Sequence, residues 1–361
     1  MLSSQPKLDA TESTQSPIIL AYSLKAIQIK LPLMLDPSAI RTMAENLVGS
    51  TCHFILDTEN NPFTGGEYVI YALENNPKSR RICLRIPRNP TGPYISLLLE
   101  READFRRRID AARVDLFQPL IAYDHTPDNS LHTPYLALGW ADGSPLKWSD
   151  TNPAAECDRK HILRAIANAS LDLLGIRQAG ESALDWITSK IDRKIIRAKA
   201  NELRGGTVAE CEHQKKLIPM YWMRELDNAP HVLVHGDLSG NNIIVNDTFT
   251  VQSIIDLGWA EMLPLQFAAV YPRFLTHEPG VDGQGFTRRN TKQMKQDRDF
   301  YLECVKARAI QDGGIVMDYY RVLSREDEPS RHWWFTAASR IDIHKAMASC
   351  NWAPPIHSLG Q

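Results

Sequence analysis

The chain has 361 residues, of which 43% are hydrophobic and 23% are charged. This balance is typical of a globular enzyme, and a chain of this length can bury a core large enough to fold without disulfides. The formal net charge of −2 argues against the strongly basic surface of a nucleic-acid-binding protein, and equally against attraction to an anionic membrane.

The N-terminal residues predict neither a secretory signal nor a membrane span. Residues 1–16 are rich in Ser, Thr and Gln and lack a basic start before an apolar core, which predicts a disordered tip. Residues 18–35 are more apolar, but two lysines and a proline interrupt them, and they fall short of the ~20 apolar residues of a span. The six cysteines are scattered without a CxxC pair, as reduced thiols are. We therefore expect a cytoplasmic protein.

The first third of the chain predicts a helix followed by a small antiparallel sheet. Residues 36–49 begin with the Asp-Pro pair that starts helices and end at a glycine, so they predict a short helix. Strands follow over 52–58, 67–73 and 81–86, separated by a predicted loop over 60–66 and a turn over 74–79, which are rich in Asn, Pro and Gly. Consecutive strands with short connections favour antiparallel pairing.

The rest of the chain is predicted to be mainly helical. A helix over about 94–112 and strands near 116–123 and 135–140 complete the β-rich region. The helices after Gly143 are predicted over about 153–175, 180–204, 209–225 and in segments after 290, with one β pair at 243–245 and 253–255. We predict an α+β fold with a β-rich N-terminal lobe over 17–138 and a helical lobe over 139–355.

The most informative segment is a polar sequence between two apolar runs, at residues 232–245. Within it, His235, Asp237 and Asn242 follow the spacing H-x-D-x4-N. Asp256 ends a further apolar run, nineteen residues after Asp237. A β-hairpin between Asn242 and Asp256 would bring these two side chains to the same end of a sheet.

These residue types suit phosphoryl transfer from ATP, which depends mainly on positioning and on neutralisation of charge. One carboxylate must orient the attacking hydroxyl and accept its proton, and Asp237 suits that role. A second carboxylate and an amide oxygen must hold Mg²⁺, which prefers hard oxygen ligands. Asn242 and Asp256 suit this second role, and His235 is predicted to brace the loop.

Three runs of sequence resemble the aminoglycoside-phosphotransferase and choline-kinase-like family, and in particular its fungal branch. They are residues 234–245, 254–261 and 264–274, and the resemblance extends over about 36–350. It implies a bilobal protein-kinase-like fold. It also implies an ATP- and Mg²⁺-dependent kinase that phosphorylates a hydroxyl of a small molecule.

The resemblance also suggests which residues hold the nucleotide. Gly65 and Gly66 lie between the first two predicted strands, where glycines let the backbone approach phosphates. The family places a lysine on the third strand, and Arg85 stands at that position here. Arginine keeps the charge and can bind phosphate through two nitrogens, although its shape differs from that of lysine.

The carboxylate that partners Arg85 is expected on the helix over 94–112. Glu100 and Glu102 are both candidates, and they point to different faces because they are two residues apart. We favour Glu102, because Leu98 and Phe105 lie at helical spacing around it. The basic run at 106–108 is predicted to cover a helix face.

Two other functions are compatible with parts of the sequence. A pseudokinase that binds nucleotide without turnover is favoured only by the arginine at position 85. A protein kinase is disfavoured by Gly236 and Ser239, where protein kinases commonly carry Arg and Lys, and by the lack of an Ala-Pro-Glu element after Asp256. The acceptor pocket is expected from 180–225 and 260–300, and Glu261 could meet a cationic acceptor or make a fold contact.

Overall fold

The computed structural model describes residues 35–76, 80–203, 207–276 and 291–338. The disordered tip predicted over 1–16 lies outside these residues, and so do the first part of the predicted N-terminal lobe and the last part of the helical lobe. Within the described residues, no helix is both long and apolar enough to cross a bilayer.

The first described helix, α1, runs over Pro37–Val48, which confirms the prediction from the Asp-Pro start and the glycine stop. The Asp36 carboxylate caps the helix by accepting a hydrogen bond from the backbone N–H of Ser38. Gly49 ends it with a left-handed φ of 73°. The apolar face of α1 packs on the sheet that follows.

One antiparallel sheet forms the N-terminal part of the protein. Its strands are β1 (Cys52–Phe54), β2 (Phe63–Thr64), β3 (Tyr68–Asn75), β4 (Arg81–Pro87), β5 (Leu120–Asp124) and β6 (Tyr135–Gly139). They lie in the order β1-β3-β4-β6-β5, with β2 paired to β3. Helix α2 (Ile95–Ala111) connects β4 to β5.

The first strand is shorter than predicted, and the predicted loop over 60–66 contains a strand. β1 ends at Phe54, and Leu56 and Asp57 just beyond it each have a φ of 55°, a left-handed conformation that turns the chain. The segment predicted as a loop contributes β2, which pairs with the start of β3.

The sheet is covered on both faces, and this arrangement decides where Arg85 points. Leu84 and Ile86 of β4 pack in the cluster that contains α1, whereas Cys83 packs with Leu99 of α2. Successive side chains of a strand alternate between faces. Arg85 therefore lies with Cys83 on the face that α2 covers.

The C-terminal part is mainly helical. Its helices are α3 (Glu156–Asp172), α4 (Ala183–Lys199), α5 (Val208–Lys216), α6 (Ile218–Tyr221), α7 (Leu265–Ala268), α8 (Lys292–Asp312), α9 (Gly314–Leu323) and α10 (Glu328–Ala338). The helix predicted over 209–225 is wrong in extent. It divides into α5 and α6, and Pro219 occupies the first turn of α6, where its missing N–H is tolerated.

Two small antiparallel sheets support the loops of the C-terminal part. Their strands are β7 (Ser144–Pro145), β8 (Arg177–Gln178), β9 (His231–Val234), β10 (Ile243–Val245), β11 (Val251–Ile254) and β12 (Glu261–Pro264). One sheet has the order β11-β10-β7 and the other has the order β12-β9-β8. The β10–β11 hairpin is as predicted, whereas the β9–β12 pair is not predicted from the sequence. The chain passes from the first sheet to these strands between Gly139 and Ser144.

Candidate active site

Asp237 lies in the loop between β9 and β10, and a glycine shapes this loop. Gly236 has a φ of +79°, and a Cβ atom at this position would lie 1.9 Å from the carbonyl oxygen of Trp259. Both the left-handed backbone and the close approach therefore require glycine. The chain has no room here for the arginine that is common in protein kinases.

His235 ties this loop to the end of β11. Its Nε2 lies 2.8 Å from the carbonyl oxygen of Ile255, and its Nδ1 accepts a hydrogen bond of 3.3 Å from the backbone N–H of Asp237. A carbonyl can only accept, so the ring is the neutral tautomer with the proton on Nε2. Burial lowers the pKa of His235, in agreement with a neutral ring.

The buried neutral ring of His235 predicts a pH dependence of stability. Its pKa lies below the ordinary value of 6.5, so the unfolded chain binds more protons once the pH falls below about 6.5. We expect the free energy of unfolding to fall as the pH drops from 7 to 5, by at most about 1.4 kcal/mol per pH unit from this group. Denaturant titrations should show a smaller fall for His235→Gln than for the wild type. His213→Gln, at an exposed position of α5, is the matched control, and an equal fall in all three proteins would contradict the prediction.

Asn242 directly precedes β10 and Asp256 follows β11, so both lie at the open end of this hairpin. The Asn242 Nδ2 donates to the backbone oxygen of Asp237 at 2.8 Å and lies 3.4 Å from Asp237 Oδ2. Asp256 has a left-handed φ of 64°, and its Oδ1 accepts from the N–H of Gly258 at 3.3 Å. The hairpin therefore brings together three polar side chains that the sequence assigns to the site.

The oxygens of Asn242 and Asp256 suit a hard divalent cation. Within the described part of the chain, neither Asn242 Oδ1 nor Asp256 Oδ2 accepts a hydrogen bond. The Asp256 side chain is 39% exposed, so a ligand can reach it. Burial opposes ionisation of Asp256, but the charge of Arg85, together with the hydrogen bond from the Gly258 N–H, outweighs it, and the pKa of Asp256 is lowered. The described residues contain no group of three His, Cys, Asp or Glu that could hold a metal. Few protein ligands are typical of Mg²⁺, which keeps waters and phosphate oxygens in its shell.

Arg85 joins the N-terminal sheet to Asp256. Its Nη1 donates to Glu102 Oε1 at 2.7 Å, and its Nη2 donates to Asp256 Oδ1 at 3.0 Å. The guanidinium also lies over the ring of Tyr68, 4.2 Å from the centroid. Burial disfavours the charged form, but the charges of Glu102 and Asp256 outweigh it, so the pKa of Arg85 is raised. Arg85 therefore stays a cation.

Glu102, rather than Glu100, meets Arg85, and it also binds a second arginine. Arg106 donates to Glu102 Oε1 through Nε at 3.0 Å and through Nη2 at 2.7 Å. The prediction for residues 106–108 is therefore wrong at Arg106, which is 2% exposed and also donates to the backbone oxygen of Gln118. It is buried because it lies four residues after Glu102, on the face of α2 that covers the sheet.

Gly65 and Gly66 lie at the turn between β2 and β3. The N–H of Gly65 donates to the carbonyl oxygen of Tyr68 at 2.9 Å, and Arg88 Nη1 donates to the Gly65 oxygen at 3.2 Å. Neither glycine has a positive φ, and a Cβ atom would come no closer than 3.9 Å to another residue at Gly65 and would meet nothing at Gly66. The packing of the chain itself therefore does not require glycine here.

Glu67 follows the two glycines and lies within electrostatic reach of Arg85, Glu102 and Asp256, which is not predicted from the sequence. Glu67 is exposed at the surface, but neighbouring atoms cost its carboxylate part of its hydration; this loss, followed by the charge of Asp256, raises the pKa of Glu67, whereas Arg85 lowers it. An acidic residue directly after a Gly-Gly pair is the only sequence signal for this position. Its carboxylate adds a titratable group to the site.

Arg273 is the main site residue that sequence reasoning missed. It begins the 3₁₀ turn Arg273–Leu275, and its Nη1 lies 2.6 Å from Asp237 Oδ1. Both side chains are 20% exposed. The available signal was its position inside the run 264–274, where it is the one basic residue.

A cavity of about 180 Å³ adjoins Asp237 and Arg273. Its lining includes the apolar side chains of Leu238, Trp259, Leu263, Val270, Pro272 and Trp334, and also the polar side chains of Ser170, Tyr301 and Tyr319. The loop that carries Asp237 therefore borders a space that is lined mainly by the C-terminal part of the chain. A small molecule that lay in this space would be close to the Asp237 carboxylate.

Comparison with known proteins identifies the class and then the family. The chain shares its fold with a protein of Ralstonia eutropha JMP134 that is named as an aminoglycoside phosphotransferase, at 13% identity and a TM-score of 0.52, over 84% of this chain and 98% of that one. This likeness concerns the fold alone, and it confirms the predicted bilobal α+β fold of the protein-kinase-like type. Residues 62–267, more than half of the chain, match the family described as the phosphotransferase enzyme family, APH. The chain belongs to this family.

Two further solved structures are similar to the chain. The streptomycin–ATP ternary complex of APH(2″)-IIa is 10% identical with a TM-score of 0.45, over 84% of this chain and 98% of that chain. The ADP-bound APH(2″)-Ib is 14% identical with a TM-score of 0.46, over 87% of this chain and 99% of that chain. No curated protein matches the chain in sequence at a significant level.

Proposed function

We propose that the protein is an ATP- and Mg²⁺-dependent kinase that phosphorylates a hydroxyl group of a small molecule. The observation that carries the proposal is the meeting of Asp237, Asn242 and Asp256 at one end of the β10–β11 hairpin, with Arg85 bound to Asp256. Membership of the phosphotransferase enzyme family supports the reaction type. The proposed roles follow from the geometry of each group.

Asp237 is proposed to orient the acceptor hydroxyl and to accept its proton. Its Oδ1 is held by Arg273 and its backbone by His235 and Asn242, so the carboxylate has a defined position. Its Oδ2 has only the long contact of 3.4 Å to Asn242 within the described residues, which leaves this oxygen for a hydroxyl donor. A general base must lie within about 2.6–3.2 Å of the group whose proton it takes.

Asn242 Oδ1 and the Asp256 carboxylate would hold Mg²⁺, and Arg85 with the Gly65–Gly66 turn would hold the phosphates of ATP. When bound, Mg²⁺ neutralises charge on the phosphates. Arg85 keeps a cation next to Asp256, and its bond to Glu102 fixes the guanidinium. Arginine at position 85 therefore keeps the positive charge expected of a lysine there, and it keeps an ion pair with Glu102 on the following helix. This weakens the case for a pseudokinase.

The proposed function is tested by ATP consumption with a library of hydroxyl-containing metabolites, with Mg²⁺ or with EDTA. We expect transfer to one class of acceptor that stops when Mg²⁺ is removed, and ATP binding in a thermal-shift assay that Mg²⁺ strengthens. Asp256→Asn should lose most of the effect of Mg²⁺. ATP binding that does not depend on Mg²⁺, together with no transfer to any acceptor, would instead support a binding protein.

The Gly65–Gly66 turn provides a prediction about ATP that is separate from folding. Gly66→Ala should leave the free energy of unfolding within about 0.5 kcal/mol of the wild type, because the added Cβ meets no other atom of the chain. It should raise the KM for ATP by on the order of tenfold, because the backbone can no longer approach the phosphates as closely. Steady-state kinetics with varied ATP measure this. Gly175→Ala, where a Cβ also meets nothing, is the matched control, and an equal KM in both variants would count against the phosphate role.

A further inference from the structure

Arg273 binds Asp237 through only part of its guanidinium. Nη1 donates to Asp237 Oδ1 at 2.6 Å, whereas neither Nε nor Nη2 donates to an acceptor among the described residues. A guanidinium offers five N–H donors in a planar fork and commonly binds a carboxylate through two of them. Arg273 therefore holds Asp237 and keeps donor capacity beside the cavity that it lines.

The charges that line this cavity are compensated within the protein. Its carboxylates among the described residues are Asp237 and Glu261. Arg273 lies 2.6 Å from the first, and Lys190 Nζ lies 3.6 Å from the second. A polycationic acceptor would need carboxylates without cationic partners, because a charge that leaves water must be paired. The described cavity therefore lacks the features that would attract an amino sugar.

The remaining wall of the cavity suits an apolar body. Leu238, Trp259, Val270 and Pro272 line it close to Asp237 and Arg273. Small-molecule sites commonly combine such a wall with a few polar groups that fix the orientation of the ligand. The polar groups of this cavity include Ser170, Tyr301 and Tyr319, and beside the apolar wall they include the Asp237 carboxylate, which can take a hydroxyl, and the Arg273 guanidinium, which can take an anion.

We propose that the acceptor is a small hydroxycarboxylic acid, whose carboxylate binds Arg273 while a nearby hydroxyl binds Asp237. The inference rests on the proposed kinase function and names the substrate class of the same site. The apolar wall favours a singly charged carboxylate over a phosphate group, which carries more charge into the cavity. Arg273 is bonded to Asp237, so a carboxylate bound to Arg273 would place a nearby hydroxyl of the same molecule at Asp237.

The chemical step is balanced and needs no further reactant. The acceptor hydroxyl oxygen forms a bond to the γ-phosphorus of ATP, and the bond between that phosphorus and the ADP oxygen breaks. The hydroxyl proton passes to Asp237. Arg273 keeps its charge throughout and binds the acceptor carboxylate, so it acts in recognition rather than in proton transfer.

The test uses pairs of compounds of nearly the same shape, in which a charged carboxylate is replaced by a neutral amide. A panel of aromatic and aliphatic hydroxycarboxylic acids is compared with the corresponding primary amides and with a polycationic aminoglycoside, as acceptors for the full-length protein with ATP and Mg²⁺. We expect at least one acid to be preferred over its amide by on the order of 10- to 100-fold in kcat/KM, the effect of a hydrogen bond to a charged group. Arg273→Gln should remove this preference, and Arg273→Lys should keep part of it.

Direct binding gives a second measurement that does not depend on turnover. Saturation-transfer NMR should detect the preferred acid on the wild type and not on Arg273→Gln. Arg321→Gln removes an arginine whose side chain is 64% exposed, so it is the matched control and should bind the acid like the wild type. Thermal unfolding verifies that Arg273→Gln is folded, and Arg273→Lys tests the same contact if it is not.

Several results would overturn the inference. They are equal use of acids and amides, preference for the aminoglycoside, no acid that binds or reacts, or an equal loss of activity on acids and amides in Arg273→Gln. The last result would instead indicate that Arg273 acts on the transferred phosphoryl group. In each case, Asp237-dependent transfer to another acceptor or to water leaves the kinase function standing. The absence of all transfer would remove the kinase function itself.

Discussion

Asp237→Asn is expected to lower the rate of phosphoryl transfer by on the order of 10²- to 10⁴-fold, the usual contribution of a general base. Asparagine has nearly the same shape, so the loop keeps its packing, but it cannot accept the hydroxyl proton. The Arg273 side chain is 20% exposed, so water can solvate its charge once the carboxylate is gone. The loss should therefore appear in kcat with little change in the KM for ATP.

Steady-state kinetics on the acceptor found by the library screen measure this effect, and denaturant unfolding shows whether the fold is preserved. Asp247→Asn is the matched control, because Asp247 is an exposed carboxylate in the β10–β11 turn. It should keep the wild-type rate. A rate for Asp237→Asn within about threefold of the wild type would exclude Asp237 as the base.

Glu102→Gln is expected to destabilise the protein by about 3–5 kcal/mol, the usual effect of breaking a buried ion pair from one side. Glu102 is the shared acceptor of Arg85 and Arg106, whose side chains are only 6% and 1% exposed. Glutamine can still accept hydrogen bonds, but it removes the negative charge between two buried cations. Arg85 and Arg106 would then repel each other, and Asp256 would be the one carboxylate left in contact with Arg85 among the described residues.

Denaturant titration measures the change in free energy of unfolding. The matched control is Glu100→Gln, two residues earlier on the same helix at an exposed position, and it should change stability by no more than about 0.5 kcal/mol. The pair of variants also tests the preference for Glu102 over Glu100 that the sequence analysis states. Equal small effects of both substitutions would mean that the buried cluster contributes little to the fold.

Local sequence was sufficient for the parts of the site that lie within one loop or one hairpin. Asp237 and Asn242 are five residues apart, and the hairpin that carries Asp256 is short, so spacing alone predicts that the three meet. The same is true of α1, whose capping residues lie within the helix or next to it. In each of these cases the interacting groups are neighbours in the chain.

Contacts between residues that are distant in the chain are harder to predict from the sequence. Arg273 and Asp237 are 36 residues apart, and no local pattern distinguishes an arginine that turns toward Asp237 from one on the surface. The prediction for Arg106 is wrong because a basic run in a polar helix is usually solvated, whereas here Glu102 binds both Arg106 and Arg85, which lies on strand β4. The pairing of β9 with β12 is not predicted, because the sequence of β9 shows only an apolar run and does not indicate which strand pairs with it.

The sequence by itself was sufficient to indicate the reaction class and to select the residues that we propose as the base and the metal ligands, because these depend on residue types at short, fixed spacing. The tertiary structure decided that Glu102 rather than Glu100 meets Arg85, that Arg85 reaches Asp256 across 171 residues, and that a cation lies against Asp237. The physical reason is that buried charges must find partners wherever the fold brings them. Only the assembled core shows which partner each one has.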